Sequence, residues 1–143
     1  MTNFTTRMMI AAATLAVAAG AASAQTLKAE IPFTFRANGR LMTAGTYRVT
    51  LNRAATGVPI LYLLNHEGNR AAMAMARTPH DPPKAWKAAG SAVLSFECGA
   101  KLCSLVGLWR GDQEPAYSFA APKPGNDEPT RVALIALRPG NSD

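Results

Sequence analysis

The sequence predicts an all-β chain: a single antiparallel β-sandwich or flattened barrel of about seven to nine strands, following a cleaved signal peptide. Three observations carry this. Apolar residues alternate with polar ones through residues 31–51 in period two, as in Ile31, Phe33, Phe35 and then Tyr47, Val49, Leu51. Short apolar runs are separated by turn residues at Asn38-Gly39, Ala44-Gly45, Asn65–Asn69 and Gly111–Pro115. Finally, Ser91–Arg110, SAVLSFECGAKLCSLVGLWR, reads as two strands over a short turn with both cysteines at its tip. No coiled-coil heptads, internal repeat or second domain is apparent.

The first residues have the form of a targeting segment. Arg7 supplies positive charge, residues 8–21 are an Ala-dominated apolar run, and Ala22-Ser23-Ala24 fits the small-x-small rule for cleavage before Gln25. The run is short and poor in Leu, Ile and Phe, which disfavours the alternative of a retained membrane anchor. Residues 1–24 are therefore expected to be a signal peptide and residues 25–143 a single domain of 119 residues, long enough for one core. No membrane span is expected in that mature chain, and no Cys follows the leader to accept a lipid. Its place is periplasmic or secreted.

The formal charge is +6, and +5 once Arg7 is removed. The basic residues are dispersed, with no run of three. Nucleic-acid binders usually concentrate such charge on one face with interleaved aromatics, so no nucleic-acid partner is expected. Two readings stay open, a solvated basic surface and attraction to anionic lipid headgroups or acidic polysaccharide.

In residues 29–35, AEIPFTF, Pro32 cannot donate to a ladder, so the first strand is an edge or a strand beginning. Asn38-Gly39 turns the chain into a short return strand, Arg40-Leu41-Met42, because both turn residues tolerate positive φ. Ala44-Gly45 precedes TYRVTLN, with Tyr47, Val49 and Leu51 inward.

Residues 24–51, AQTLKAEIPFTFRANGRLMTAGTYRVTL, resemble the start of a group of small exported, uncharacterised bacterial proteins. Those chains open with a Gln, an I-P-F-x-F strand and an L-P-A-G-x-Y-x-V segment. The later Phe96, Gly99, 101–106 strand and Trp109 also look like theirs. The departures are Met42-Thr43 in place of Leu-Pro, and two cysteines where aromatic or polar residues are usual. The resemblance implies a β-sandwich-like domain and no activity. The A-G-T-Y-x-V piece is similar also to Ig-like sandwich modules, an analogy of fold alone.

Further on, residues 58–64, VPILYLL, are nearly continuous apolar, the pattern of a strand buried on both faces. RAAMAMAR, after the 65–69 turn, reads as a strand with Met73 and Met75 alternating against Ala. Residues 77–90, RTPHDPPKAWKAAG, read as a long surface loop with a helical turn near 83–88. Trp86 lies there between Lys84 and Lys87, a candidate binding surface that could stack on a sugar ring or sit at a lipid interface. The plainer alternative is that Trp86 folds back to cap one end of the sandwich. In the cysteine hairpin, alternation from a Cys98–Cys103 pair places Phe96 opposite Leu105, Leu94 opposite Gly107 and Ala92 opposite Trp109. Residues 116–120 form a short strand with Tyr117 and Phe119 inward, and residues 130–139, TRVALIALRP, are apolar enough to lie mid-sheet.

Little chemistry is legible. His66 and His80 both fall in predicted loops, and no G-x-S-x-G elbow is present. A Ser91–His80–Asp81 triad can be written down without geometric support. Asp112/Glu114 and Asp127/Glu128 would bind Ca²⁺ only if folding brought them together. C-x4-C is not the C-x-x-C of thiol oxidoreductases, and two cysteines in an exported protein usually pair, so a Cys98–Cys103 disulfide is expected. No catalytic residue, metal or cofactor is assigned. The expected function is a non-enzymatic binding or interaction module of the cell envelope, engaging a protein, glycan or lipid. The alternative is a β-barrel carrier of a small apolar ligand, with Tyr62, Met73, Met75 and Trp109 lining its cavity.

Overall fold

The computed structural model describes residues 26–100, 102–111, 113–121 and 129–140. The expected signal peptide lies outside these residues, as do Asp112, Asp127 and Glu128.

The chain is all-β. Its strands are β1 (Leu27–Ile31), β2 (Phe35–Ala37), β3 (Arg40–Met42), β4 (Gly45–Arg53), β5 (Pro59–Asn65), β6 (Ala71–Met75), β7 (Val93–Cys98), β8 (Cys103–Trp109), β9 (Ala116–Ser118) and β10 (Arg131–Pro139). A short helix, α1 (Lys84–Ala88), interrupts the 77–90 loop. The strands form one mixed sheet in the order β3-β2-β8-β7-β10-β1-β4-β5-β6, with β9 beside β8. All pairs are antiparallel except β2 with β8. That exception follows from the free edge of β8, which is shared: its beginning takes β2, and its end takes β9.

A single Ala76–Phe119 bridge links the end of β6 to the chain just beyond β9, so the sheet nearly closes on itself. Closure folds the sheet over a core in which Phe35, Phe96 and Tyr47 meet edge to face. The Phe35–Tyr47 centroids are 5.4 Å apart and the Phe35–Phe96 centroids 5.3 Å. Ile31, Met42, Leu61, Leu63, Leu94, Leu105 and Leu108 fill the remaining interior.

Several local readings hold. Asn38 and Gly39 take φ of 53° and 79°, as a tight β2–β3 hairpin demands. Residues 29–35, however, are not one edge strand: β1 is paired on both sides, by β4 and β10, and stops at Ile31, Pro32 falls in the break, and β2 restarts at Phe35. Cys98 and Cys103 face one another across the hairpin and form a disulfide, with Cα atoms 3.9 Å apart.

Three further readings are corrected. Strand β5 is not buried on both faces: Pro59, Leu61 and Leu63 point inward, while Ile60, Tyr62 and Leu64 are half-exposed. On β6, Ala72 and Ala74 are the inward residues, opposite Leu63 and Leu61, and Met73 and Met75 point out. The third correction concerns the cysteine hairpin. Its expected register holds for Cys98–Cys103, Glu97–Ser104 and Phe96–Leu105, but a bulge at Val106 then pairs Ser95 with Gly107 and Val93 with Trp109. One extra residue sends every later side chain to the opposite face. The Val106 carbonyl accepts a hydrogen bond from Phe119 N at 3.0 Å. Leu108 therefore joins the core, and Gly107 and Trp109 move to the outer side.

Candidate functional site

The bulge decides which outer surface is covered. Gly107 and Trp109 now face outward beside Val93 and Ser95, and the 77–90 segment folds down over them. Trp86, Val93, Trp109 and Ala116 form a second apolar cluster, with Leu134 packed against it. Trp86 is only 7% exposed. Its indole occupies the space left by the missing side chain of Gly107: a Cβ there would overlap Trp86 Cη2 and lie 2.9 Å from Cζ2. The Trp109 indole donates from Nε1 to the Glu114 carbonyl at 3.0 Å.

This covering segment is tied on by its backbone. Arg77 N donates to Ser118 O, and His80 exchanges two backbone hydrogen bonds with Ala116. The His80 ring completes the attachment. Its Nδ1 lies 2.9 Å from the Asp81 carbonyl, which can only accept, so Nδ1 carries the proton. Nε2 then accepts from the Ser118 hydroxyl at 2.7 Å. The serine that reaches His80 is thus Ser118, 38 residues away in the chain, and not Ser91, and Asp81 contributes a backbone carbonyl rather than its carboxylate. A paired Ser and His is the beginning of a nucleophile, but the geometry shows an exposed strap in which the ring serves as a pin.

The expected binding surface at Trp86, Lys84 and Lys87 is therefore split. Lys84 and Lys87 are exposed on α1, whereas the Trp86 indole points into the molecule and offers no open face for stacking. Trp86 folds back, as in the plainer alternative, but onto the outer face of β7 and β8 rather than over one end of the sandwich. Among the described residues, no group of three or more His, Cys, Asp and Glu side chains is placed to hold a metal ion. His66 is exposed in the turn after β5.

The opposite outer surface has a different character. On β4, β5 and β6 the outward residues form a grid fixed by strand register. Arg48 stands beside Leu64 and Ala71, Thr50 beside Tyr62 and Met73, and Asn52 beside Ile60 and Met75. Met73 is 55% exposed and Met75 64%. Across the seam between β6 and β3, Leu41 is 52% exposed. Arg70 spans that seam, its Nη1 3.5 Å from the Leu41 carbonyl.

Of the four large hydrophobic residues that stand exposed among the described residues, three are Leu41, Met73 and Met75. Met73 and Met75 share the outer face of β6, and Leu41 lies on β3, whose backbone Arg70 reaches from just before β6. Single exposed apolar residues need no explanation, but a cluster on rigid strands does. Cations surround it: Arg36 is paired directly with Leu41 on β2, Arg70 precedes β6 and Arg77 follows it, and all three are exposed. The positive charge continues along the sheet, where Arg48, Lys28 and Arg138 are direct neighbours on β4, β1 and β10. Glu30 accepts from Arg138 at 2.6 Å and is the acid of that row.

Neither strong periodicity nor a motif marks this surface in the sequence. The available signal was the Ala-Met alternation of β6 read with its sidedness reversed. Comparison with protein-family models, with curated proteins and with solved structures found no match.

Proposed function

We propose that this chain is a non-enzymatic binding module of the cell envelope, acting in the periplasm or outside the cell, and that its contact surface is the β4–β5–β6 outer face together with the adjoining seam. One observation carries the reading: Leu41, Met73 and Met75 stand exposed together on ordered strands, inside a rim of arginines. A soluble β-sheet rarely leaves such side chains in water unless something covers them. The disulfide, and the absence among the described residues of a helix long and apolar enough to cross a membrane, are compatible with export.

The carrier alternative draws no support from its four expected lining residues. Tyr62, Met73 and Met75 face outward, and Trp109 is packed under Trp86. A cleft beside Leu27, Lys28, Tyr47 and His66 offers about 40 Å³, room for water rather than for an apolar ligand, and an open groove of about 330 Å³ at the disulfide, beside Cys98, Gly99, Thr130 and Arg131, includes none of the four.

Methionine oxidation footprinting tests the proposal. Met73 and Met75 should oxidise readily in the purified protein and be protected once it is mixed with an envelope preparation. Equal oxidation with and without envelope material would refute the reading.

A further inference from the structure

We infer that the occupant of this face is an anionic phospholipid surface, with Leu41, Met73 and Met75 entering the headgroup boundary and Arg36, Arg70 and Arg77 seated on lipid phosphates. The inference rests on the reading of this face as the binding surface and specifies its partner.

Three features favour lipid. The first is the order of the chemistry: an apolar centre with cations around it matches a bilayer boundary, where acyl chains lie beneath a plane of phosphates. Methionine and leucine offer no flat ring to stack on a sugar, so the centre of the patch suits acyl chains better than an acidic glycan. Tyr62, beside Met73, has the amphipathic ring that settles at headgroup depth. The second is charge. Apart from Glu67, in the turn beside Arg70, the charged residues flanking the patch on β2, β4 and β6 are positive, and the Arg48–Lys28–Arg138 row extends that field across the sheet. The third is what the charge excludes. If two copies paired antiparallel through β6, centred on Met73, Arg70 of each would face Ala76 of the other, one position from its Arg77. Like charges that close oppose dimerisation, whereas a negatively charged plane is attracted to all of them at once.

Arginine is the cation suited to the rim, because its planar fork binds two phosphate oxygens together. The apolar side chains are short and stand on rigid strands, so the association is shallow and reversible, unlike a spanning segment.

Vesicle co-sedimentation decides the matter, using protein as recovered from the cell with its N-terminus fixed by mass spectrometry. Binding should be strong to phosphatidylcholine vesicles containing about one-third phosphatidylglycerol and weak to phosphatidylcholine alone, and should fall as salt is raised. Each removed cation should weaken binding about fivefold, so Arg70→Gln with Arg77→Gln loses about 25-fold, and the matching Lys variants retain most of it. Met73→Ser with Met75→Ser, on exposed positions that leave the core intact, should lose at least about tenfold. Two results overturn the lipid assignment: equal binding to neutral and anionic vesicles, or binding indifferent to either pair of substitutions. Failure to bind vesicles while envelope material still protects Met73 and Met75 would overturn lipid but keep the face, pointing to a protein or glycan. Absence of both would remove the face as well.

Discussion

Gly107→Ala is the sharpest probe of how the covering segment is held. The Gly107 backbone is open to any residue, so the cost of a side chain there comes from space alone. A new Cβ would overlap Trp86 Cη2, approach Cζ2 at 2.9 Å and touch the Tyr117 carbonyl at 3.3 Å. The indole must shift, and it is locked between Val93, Trp109 and Ala116. Such overpacking costs about 2 kcal/mol. Trp86→Ala empties the same site and costs about 3 kcal/mol. With the ring gone, the alanine at 107 meets only the Tyr117 carbonyl and gains roughly 0.5 kcal/mol over glycine in a strand. The double variant is therefore as stable as Trp86→Ala alone, an interaction of about 2 kcal/mol between the two positions. Urea denaturation followed by far-ultraviolet circular dichroism, with Trp109 fluorescence as a second probe, gives the four stabilities. A double variant that loses about 5 kcal/mol, the sum of the singles, would show that Trp86 does not occupy the Gly107 notch.

Other outcomes follow from single contacts. Cys98→Ser with Cys103→Ser should cost about 2 kcal/mol, since the loop closed by the disulfide is short, and unreduced protein should show no free thiol in a colorimetric titration. Tyr47→Phe removes the 2.6 Å hydrogen bond to the Thr43 carbonyl beneath a buried ring, and should cost about 1 kcal/mol in the same denaturation assay. Arg138→Ala breaks an ion pair whose partners are more than half exposed, so stability should change by less than about 0.5 kcal/mol. His80→Ala unpins the covering segment, and amide exchange across residues 78–90 should quicken while the core strands stay protected.

How far the sequence carried the reader varies from strand to strand, and the reasons are physical. Alternation in β1 and β4 was legible because each has one face on the core and one in water, so period two is imposed residue by residue. The Asn38-Gly39 turn was legible because few other pairs accept positive φ twice. Strand β5 misled because its outward residues, Ile60, Tyr62 and Leu64, are apolar as well, which erases the contrast that alternation needs. On β6 the inward residues are small, and the cue of size pointed the wrong way: alanines fit against Leu61 and Leu63, and methionines were left outside. The bulge at Val106 carried no local signal, since a single inserted residue in an apolar strand changes register without changing composition. From that one shift follow the misplaced Trp109, the notch at Gly107 and the burial of Trp86. The candidate face was hidden for a related reason: β3 and β6 are brought to one side only by tertiary closure, where Arg70 reaches the Leu41 carbonyl from a position far along the chain.

The position of β10 governs how the molecule can come into being. Residues 131–136 pair with β7 and residues 137–139 with β1, the change-over marked by Leu137 N donating to Ala92 O at 2.8 Å. The last strand is the stave between the two halves of the sheet, and it sits against the first. No nascent N-terminal segment can seal the structure, because β1 and β7 keep open edges until Arg131–Pro139 arrives. Loop closure over almost the whole chain must precede the reward, which makes for slow folding. The same wiring makes the chain fragile to truncation: losing nine C-terminal residues of sheet would expose two strand edges and invite aggregation.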